Sequence, residues 1–166
     1  MTIYKILHYP DKRLRKLSEP VIYINDNIKK ITNDMFDTMY KNNGIGLAAP
    51  QINIHLQIIV INTKKKMILI NPKLISKKGC IEFKEGCLSI PNEIANIKRS
   101  KNIIVESMDI DGKLKKIKAT GILSVCIQHE IDHLKGKLFI DHLSLMKKER
   151  LIKKIKKKIK LKNIKK

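Results

Sequence analysis

The sequence predicts an α+β fold in which mostly antiparallel sheets pack around a central helix, with a further helix at the C-terminus. Helical periodicity appears in separated segments, strand-like runs lie between them, and an Asp-Gly pair joins two β-rich runs as in a hairpin. This order lacks the regular alternation of βαβ units. The length of 166 residues suits one domain. We expect its body over residues 1–146 and a basic amphipathic helix over 147–166.

The first helix is predicted over residues 25–42. Its apolar positions recur at helical spacing, and they are Ile28, Ile31, Met35 and Met39. Asn25 or Asp26 can cap its start, and Gly44 follows its end, where a glycine commonly terminates a helix. An irregular stretch of small residues, GIGLAAPQ, comes next.

The strands are predicted in the middle of the chain. Short buried strands are expected at 56–62 and 67–72, separated by a lysine-rich turn. Residues 80–91 form another extended stretch that ends at a proline. The Asp-Gly pair lies within 102–119 and predicts a hairpin there.

Two helices are predicted to complete the fold. Residues 121–134 are apolar on nearly every face, which indicates a central buried helix, and Gly136 follows its end. In the lysine-rich tail, three isoleucines recur at helical spacing and indicate an amphipathic helix. They are Ile152, Ile155 and Ile159.

Composition excludes some classes of function. The net charge is +21, and residues 147–166 contribute 11 Lys, one Arg and one Glu, or +11. No aromatic platform, Arg-rich recognition helix or zinc-finger spacing suggests sequence-specific DNA reading. No apolar run approaches the ~20 residues that span a membrane, and the first 16 residues lack the continuous apolar h-region of a signal peptide. We expect a cytoplasmic protein with three reduced cysteines.

The central helix carries the motif QHEIDHLKG at 128–136. Its two histidines, His129 and His133, lie one helical turn apart on one face, a spacing that suits two imidazoles on one metal ion. Glu130 lies between them, where it can transfer a proton. Burying three such polar side chains without partners would cost several kcal/mol. The motif therefore makes the central helix a predicted metal-binding helix.

Spacing alone leaves the third ligand open. A catalytic metal needs about three protein ligands and a free position for water. Downstream candidates are Asp141, His142 and Glu149. Upstream, Cys87 follows a glycine, which lets the backbone approach a crowded centre.

Three motifs resemble the signatures of the peptide deformylase family. They are GIGLAAPQ (44–51), EGCLSIP (85–91) and QHEIDHLKG (128–136), in the family's order. YPDKRLR (9–15) is similar to its N-terminal signature, so the resemblance extends from about residue 5 to 150. The family removes the formyl group from the N-formylmethionine of new proteins. The resemblance therefore implies a metal-dependent amidohydrolase that acts on N-formylmethionyl nascent polypeptides.

The resemblance also implies roles for individual residues. The implied metal ligands are Cys87, His129 and His133, with Fe2+ as the native ion and Zn2+, Ni2+ or Co2+ as possible substitutes. Glu130 would be the general base and then the general acid. The Gln51 side chain and the Leu88 backbone N–H would hold the oxyanion, and Gly46 would bring bare backbone close to the substrate.

Substrate recognition is expected to use the same motifs. The peptide backbone would pair near Ile45–Leu47 and Gly86, and the methionine side chain needs an apolar pocket. The candidate pocket residues are Ile45, Phe83, Val125 and Cys126. The sequence departs from many bacterial members at Ile94, where they carry an arginine. Arg99 is the candidate to compensate.

Two other functions compete with this interpretation. One is a zinc endopeptidase that uses the same helix, and the other is a basic ribosome- or RNA-binding protein with an inactive site. If the protein is a deformylase, the charge of its basic tail predicts that residues 147–166 dock on the ribosome. We expect a monomer that associates with no membrane.

Overall fold

In the computed structural model of the protein, residues 2–164 are described, with side chains through Leu161. The α-helices are α1 (Asp26–Lys41), α2 (Gly121–Leu134) and α3 (Leu145–Ile164). The strands are β1 (Gly46–Ala48), β2 (Ile58–Asn62), β3 (Lys66–Lys78), β4 (Ile81–Cys87), β5 (Ile90–Arg99), β6 (Asn102–Met108) and β7 (Leu114–Thr120). Short 3-10 turns cover Lys12–Arg15, Ala49–Ile52 and Phe139–His142.

The strands form two antiparallel sheets. The larger has five strands in the order β1-β2-β3-β6-β7, and β4 and β5 pair as a separate hairpin. The predicted α+β class with mostly antiparallel sheets and a C-terminal helix is therefore confirmed. The predicted hairpin is β6 and β7, and Gly112 in its turn has a positive φ of 78°.

The two faces of the larger sheet are covered by different helices. In β2, Ile58 and Val60 pack in one apolar cluster with α1, whereas Ile59 and Ile61 pack in another with α2. Alternate residues of a strand point to opposite faces. This explains why β2 is apolar at every one of these positions, since both of its faces are buried.

The helix ends follow the capping rules used for the prediction. The Asn25 side chain accepts a hydrogen bond from the Ile28 N–H at 3.0 Å, so Asn25 is the N-cap of α1. The Gly44 N–H donates to the Met39 carbonyl beyond the end of α1. Gly136 follows α2 with φ of 65°, the left-handed conformation that favours glycine after a helix.

Two strand predictions were incomplete. β3 continues to Lys78, well beyond residue 72, because it pairs with β6 along its second half. The stretch 80–91 does not end at Pro91. It forms β4, turns at Leu88 and Ser89, and returns as β5 through Pro91 to Arg99. A proline is tolerated there because the hairpin has only two strands, so each strand has an unpaired edge.

The basic tail packs on the body of the protein. Three residues of α3, Leu151, Ile155 and Ile159, belong to an apolar cluster. This cluster also contains Phe139 and Ile140 from the preceding 3-10 turn. The prediction placed Ile152 on the packed face of this helix, but Leu151 packs there instead. The helix also starts at Leu145, slightly before residue 147. The division of the chain into a body over 1–146 and a separate tail stays a prediction.

Within residues 2–164, no helix combines the length and the apolar character that a membrane crossing requires.

Candidate metal centre

The two histidines of α2 face the same interior point. Their ring centroids are 5.0 Å apart, and both side chains belong to the buried part of the helix. The 3.6-residue periodicity of a helix places residues i and i+4 on one face, so this geometry follows directly from the His-x-x-x-His spacing.

Cys87 joins the two histidines from the end of β4. Its Sγ atom lies 3.2 Å from Nε2 of His133, and one ligand atom from each of Cys87, His129 and His133 falls within 4.8 Å of the others. Three such atoms fit around a single ion with Zn–S and Zn–N distances of about 2.0–2.3 Å. The β4–β5 hairpin therefore brings the upstream candidate into the cluster.

The downstream candidates lie in other interactions. Asp141 forms ion pairs with Arg15 and Lys148. Nε2 of His142 lies 2.6 Å from Asp132, and Glu149 is exposed on α3. Of the candidates that spacing left open, the structure therefore places only Cys87 among the described residues that surround the histidines.

Glu85 is a site residue that the sequence reasoning missed. It is buried, and its Oε2 lies 2.8 Å from Nδ1 of His129. Oε1 accepts a hydrogen bond from Nε of Arg99 at 2.7 Å, and Oε2 also accepts one from Nη2 of Arg99 at 3.0 Å. Its position in the EGCLSIP motif, two residues before Cys87, was the available signal. On a β-strand, that spacing places both side chains on the same face of the sheet.

Arg99 does not compensate for the arginine that many relatives carry at the position of Ile94. Its guanidinium is buried and pairs with Glu85 and with Asp132, at 2.5 Å for the latter. Ile94 is instead 65% exposed at the cleft. Turning this buried guanidinium outward would take its positive charge away from two carboxylates. Arg99 is therefore part of the support of the metal centre.

Glu130 projects into the centre beside Gly46. Its carboxylate is buried, and Oε2 has no hydrogen-bond partner among the described residues. A Cβ atom on Gly46 would lie 2.5 Å from Glu130 Oε1 and 2.7 Å from Cys126 Sγ. Only glycine leaves enough space for the carboxylate at this point of β1.

Gln51 lies beside the sulfur of Cys87. Its Oε1 accepts a hydrogen bond from the Ala48 N–H at 2.9 Å, which orients the amide. Its Nε2 then points toward Ser89 Oγ at 3.1 Å and Cys87 Sγ at 3.6 Å. The 3-10 turn that contains Gln51 and the turn that contains Ser89 therefore present an N–H donor at the centre.

The ionisation of the site follows from burial and from neighbouring charges. Burial alone would raise the pKa of the Cys87 thiol, but the charge of His133 and hydrogen bonds from both histidines hold it well below its ordinary value. A thiolate is the form that binds metals. Burial raises the pKa of Glu130, although the two histidines oppose this shift. A carboxyl group tuned in this direction is suited to proton transfer near neutral pH.

The centre opens into a cleft of about 590 Å³. The predicted substrate-contacting residues that line it are Ile45, Gly46, Phe83, Gly86, Leu88, Val125 and Cys126. Gln51, Cys87, His129 and Glu130 line the same cleft. The structure thus brings the predicted ligands, the predicted base and the predicted pocket residues to one place.

Comparison with known proteins agrees with this geometry. The family model described as polypeptide deformylase matches residues 3–149. A peptide deformylase of Buchnera aphidicola is 59% identical over 161 residues, which are 95% of this chain and 93% of the relative. A crystal structure of a peptide deformylase from Legionella pneumophila has a TM-score of 0.91 and 42% identity, covering 98% of both chains.

A second solved structure is informative because it contains a bound compound. A peptide deformylase from Ehrlichia chaffeensis in complex with actinonin has a TM-score of 0.90 and 40% identity, covering 95% of this chain and 98% of that one. The chain therefore belongs to the polypeptide deformylase family, whose metal-dependent hydrolases remove the formyl group from N-formylmethionyl peptides.

Proposed function

We propose that Cys87, His129 and His133 hold one divalent metal ion at which the chain hydrolyses the formamide of N-formylmethionyl polypeptides. The main support for this proposal is that the three ligand atoms lie within 4.8 Å of one another. A buried oxygen of the nearby Glu130 also has no hydrogen-bond partner among the described residues. An acceptor left unpaired in a buried site is costly unless a ligand or water uses it. The donor set therefore fits a catalytic metal with an open position.

Glu130 moves the protons of the reaction. A metal ion held by these three residues would polarise the formyl carbonyl and increase the acidity of the attacking water. Glu130 accepts a proton as the water attacks the formyl carbon, and it returns the proton to the departing amine. The raised pKa of its buried carboxyl group supports both steps.

Gln51 and the Leu88 backbone N–H stabilise the negative charge on the formyl oxygen. Gln51 is fixed in advance by the Ala48 N–H and by Ser89, so it needs no reorganisation during the reaction. Each donor aimed at such an oxyanion typically lowers the activation free energy by ~3–4 kcal/mol.

Fe2+ is the proposed native metal, with Zn2+, Ni2+ or Co2+ as substitutes. A thiolate donates more charge than a carboxylate, and a mixed sulfur and imidazole ligand set suits both iron and zinc. Elemental analysis of protein purified without oxygen tests this assignment. Iron at one equivalent per chain is the expected result, and zinc alone from cells supplied with iron would contradict it.

The substrate is proposed to bind as an added strand. β1 is the first strand in the sheet order, so one of its edges has no strand partner among residues 2–164. An extended peptide can use such an edge at Ile45–Leu47 and reach Gly86 on the other side of the cleft. The methionine side chain would enter the apolar region formed by Ile45, Phe83, Val125 and Cys126.

One assay separates the deformylase from the zinc endopeptidase. Formyl-Met-Ala is expected to yield formate, whereas an unformylated peptide is expected to stay intact. Cleavage of the unformylated peptide without formate release would support the endopeptidase. An RNA-binding protein with an inactive site would release no formate at all. The Cys87→Ser variant should lose or change its metal, and unaltered metal content would contradict the ligand assignment.

The basic tail is proposed to bind the ribosome, on which formylated chains are made. Its support is the +11 charge of residues 147–166. Lys154 and Lys158 pair with Glu93, so a test should leave them unchanged. Replacing the exposed Lys156, Lys157 and Lys160 by Glu should abolish salt-sensitive sedimentation with ribosomes.

The matched control for the ribosome experiment changes as many lysines elsewhere. Lys73, Lys77 and Lys78 are exposed on β3, and their replacement by Glu alters the net charge equally. Equal loss of binding in both variants would show that overall charge, not the tail, is responsible. A monomeric, cytoplasmic protein is the accompanying expectation, which gel filtration and cell fractionation measure.

A further inference from the structure

We propose that a groove between α3 and the β4–β5 hairpin binds an apolar side chain of the substrate polypeptide, several residues after its formylmethionine. This inference rests on the proposed function. The groove has a volume of about 550 Å³. Its apolar wall consists of Tyr9, Ile90, Pro91, Ile155, Ile159 and Leu161. We call it the helix groove.

The helix groove adjoins the catalytic cleft. The start of β5 lines both, through Ile90, Pro91 and Glu93 among others. Ile90 is the cross-strand partner of Cys87. Paired residues in an antiparallel sheet are about 4.5–5.5 Å apart, and an extended peptide covers ~3.3 Å per residue. A polypeptide whose formyl group lies at Cys87 can therefore reach the groove within a few residues.

The position of α3 relative to the cleft is fixed by a buried charge. The Glu93 side chain is 2% exposed and accepts hydrogen bonds from Lys154 and Lys158 at 2.8 and 2.5 Å. Ile155 lies between these lysines and is buried in the apolar cluster. Because Glu93 contributes to the walls of both cavities, the contact that anchors α3 also places the helix groove next to the cleft.

The occupant with the best support is the substrate polypeptide itself. It is the ligand that must pass through the cleft, and the groove shares the start of β5 with that cleft. The groove is mainly apolar, and Leu161 at its rim is 51% exposed. An apolar side chain bound there would cover that exposed surface. We therefore expect a preference for apolar residues downstream of the methionine.

The test compares three formylated peptides. The first is formyl-Met-Ala, which is too short to reach the groove. The other two have about ten residues, and they differ only in carrying leucines or serines at the fourth to sixth positions. We expect kcat/KM to be on the order of tenfold higher for the leucine peptide than for the serine peptide, a typical effect of an apolar pocket.

Variants of the groove make the test specific. Leu161→Ser and Ile159→Ser should remove most of the leucine preference while leaving kcat/KM for formyl-Met-Ala unchanged. The matched control is Leu145→Ser, which replaces an exposed leucine of the same helix outside the groove. If circular dichroism shows that Ile159→Ser loses its helix, Leu161→Ser decides, because its side chain is half exposed.

Two results would overturn the inference. One is equal kcat/KM for the leucine and serine peptides, and the other is a leucine preference that survives in Leu161→Ser. Either result could occur with full activity on formyl-Met-Ala, and then the proposed function would stand. If formyl-Met-Ala itself released no formate, the proposed function would fail instead. Loss of the preference in Leu145→Ser as well would attribute it to helix stability and also contradict the groove.

Discussion

Glu85 lies 2.8 Å from Nδ1 of His129. Arg99 pairs with the same carboxylate, and the pKa of Glu85 is lowered because these partners outweigh the effect of burial. An ionised carboxylate can only accept hydrogen bonds, so Nδ1 of His129 donates to Glu85 and Nε2 is the ring nitrogen left for the metal. This pairing fixes the orientation of the His129 ring toward Cys87 and His133.

The first prediction concerns this support. Glu85→Ala removes the acceptor that fixes the imidazole, and it leaves Arg99 buried with only part of its charge compensated. Loss of such an outer partner typically lowers metal affinity ~10–100-fold. Competition with a chelator of known affinity measures the effect.

Two further variants sharpen this prediction. Glu82→Gln removes a charge from an exposed position of the same strand and should leave metal affinity unchanged. Glu85→Gln can still accept a hydrogen bond from His129, so its loss should be smaller than that of Glu85→Ala. Equal affinities for the Glu85→Ala variant and the unaltered chain would show that Glu85 does not orient the ligand.

The elements that the sequence predicted well are those with local signals. α1 has a capping Asn25 and regular apolar spacing, and the β6–β7 hairpin has its Asp-Gly turn. β5 was missed because Pro91 suggested an end, while the cross-strand pairing with β4 that stabilises the strand is a tertiary interaction. The packing face of α3 shifted to Leu151 for the same reason, since the partner surface selects the face.

The candidate site shows the same division. His129, Glu130 and His133 form one local motif on one helix, so their proximity followed from spacing. Cys87 comes from another element, and the spacing of residues could not choose it over Asp141. Resemblance to a family supplied that choice. The Arg99 interactions join residues that are distant in the sequence, so neither periodicity nor motif spacing could reveal them.

A second prediction follows from the close contact at Gly46. In Gly46→Ala, the new methyl group would meet Glu130 Oε1 at 2.5 Å and Cys126 Sγ at 2.7 Å, so these side chains must move. Overpacking of this kind costs about 1–3 kcal/mol of stability. Displacement of Glu130 should also lower kcat. Thermal unfolding and formate release provide the two measurements.

Gly86→Ala is the matched control for the substitution of Gly46. A Cβ atom at Gly86 has its nearest neighbour at 3.4 Å, in Ile94, which is compatible with ordinary van der Waals contact. The melting temperature of Gly86→Ala should therefore stay close to that of the unaltered chain. If Gly46→Ala were no less stable than Gly86→Ala, the space beside Glu130 would not be limiting.

A third prediction concerns stability in acid. Asp141 forms ion pairs with Arg15 and Lys148. Although burial raises the pKa of Asp141, hydrogen bonds from Arg15 and Lys148 lower it from 3.8 to about 2. A lowered pKa in the folded state stabilises the protein above the unfolded value, and this stabilisation is lost as the pH falls from about 4 to about 2.

Asp141→Asn removes this dependence. Because the pair is partly exposed to solvent, we expect the variant to be less stable by about 1 kcal/mol near neutral pH, and this difference should shrink toward about pH 3. Urea unfolding at several pH values measures it. Asp111→Asn, in an exposed turn, controls for the loss of one negative charge. A destabilisation of Asp141→Asn that did not change with pH would assign the effect to packing.

The last prediction separates metal binding from proton transfer at Glu130. Glu130 is outside the set of three ligand atoms, so Glu130→Gln should keep the metal content of the unaltered chain. Its kcat should fall by roughly 10²–10⁴-fold, since an amide cannot accept the proton of the attacking water. Cys87→Ser provides the opposite pattern, because it should change the metal itself. Substantial turnover by metal-loaded Glu130→Gln would refute the proton-transfer role, and loss of metal would instead make Glu130 part of the ligand set.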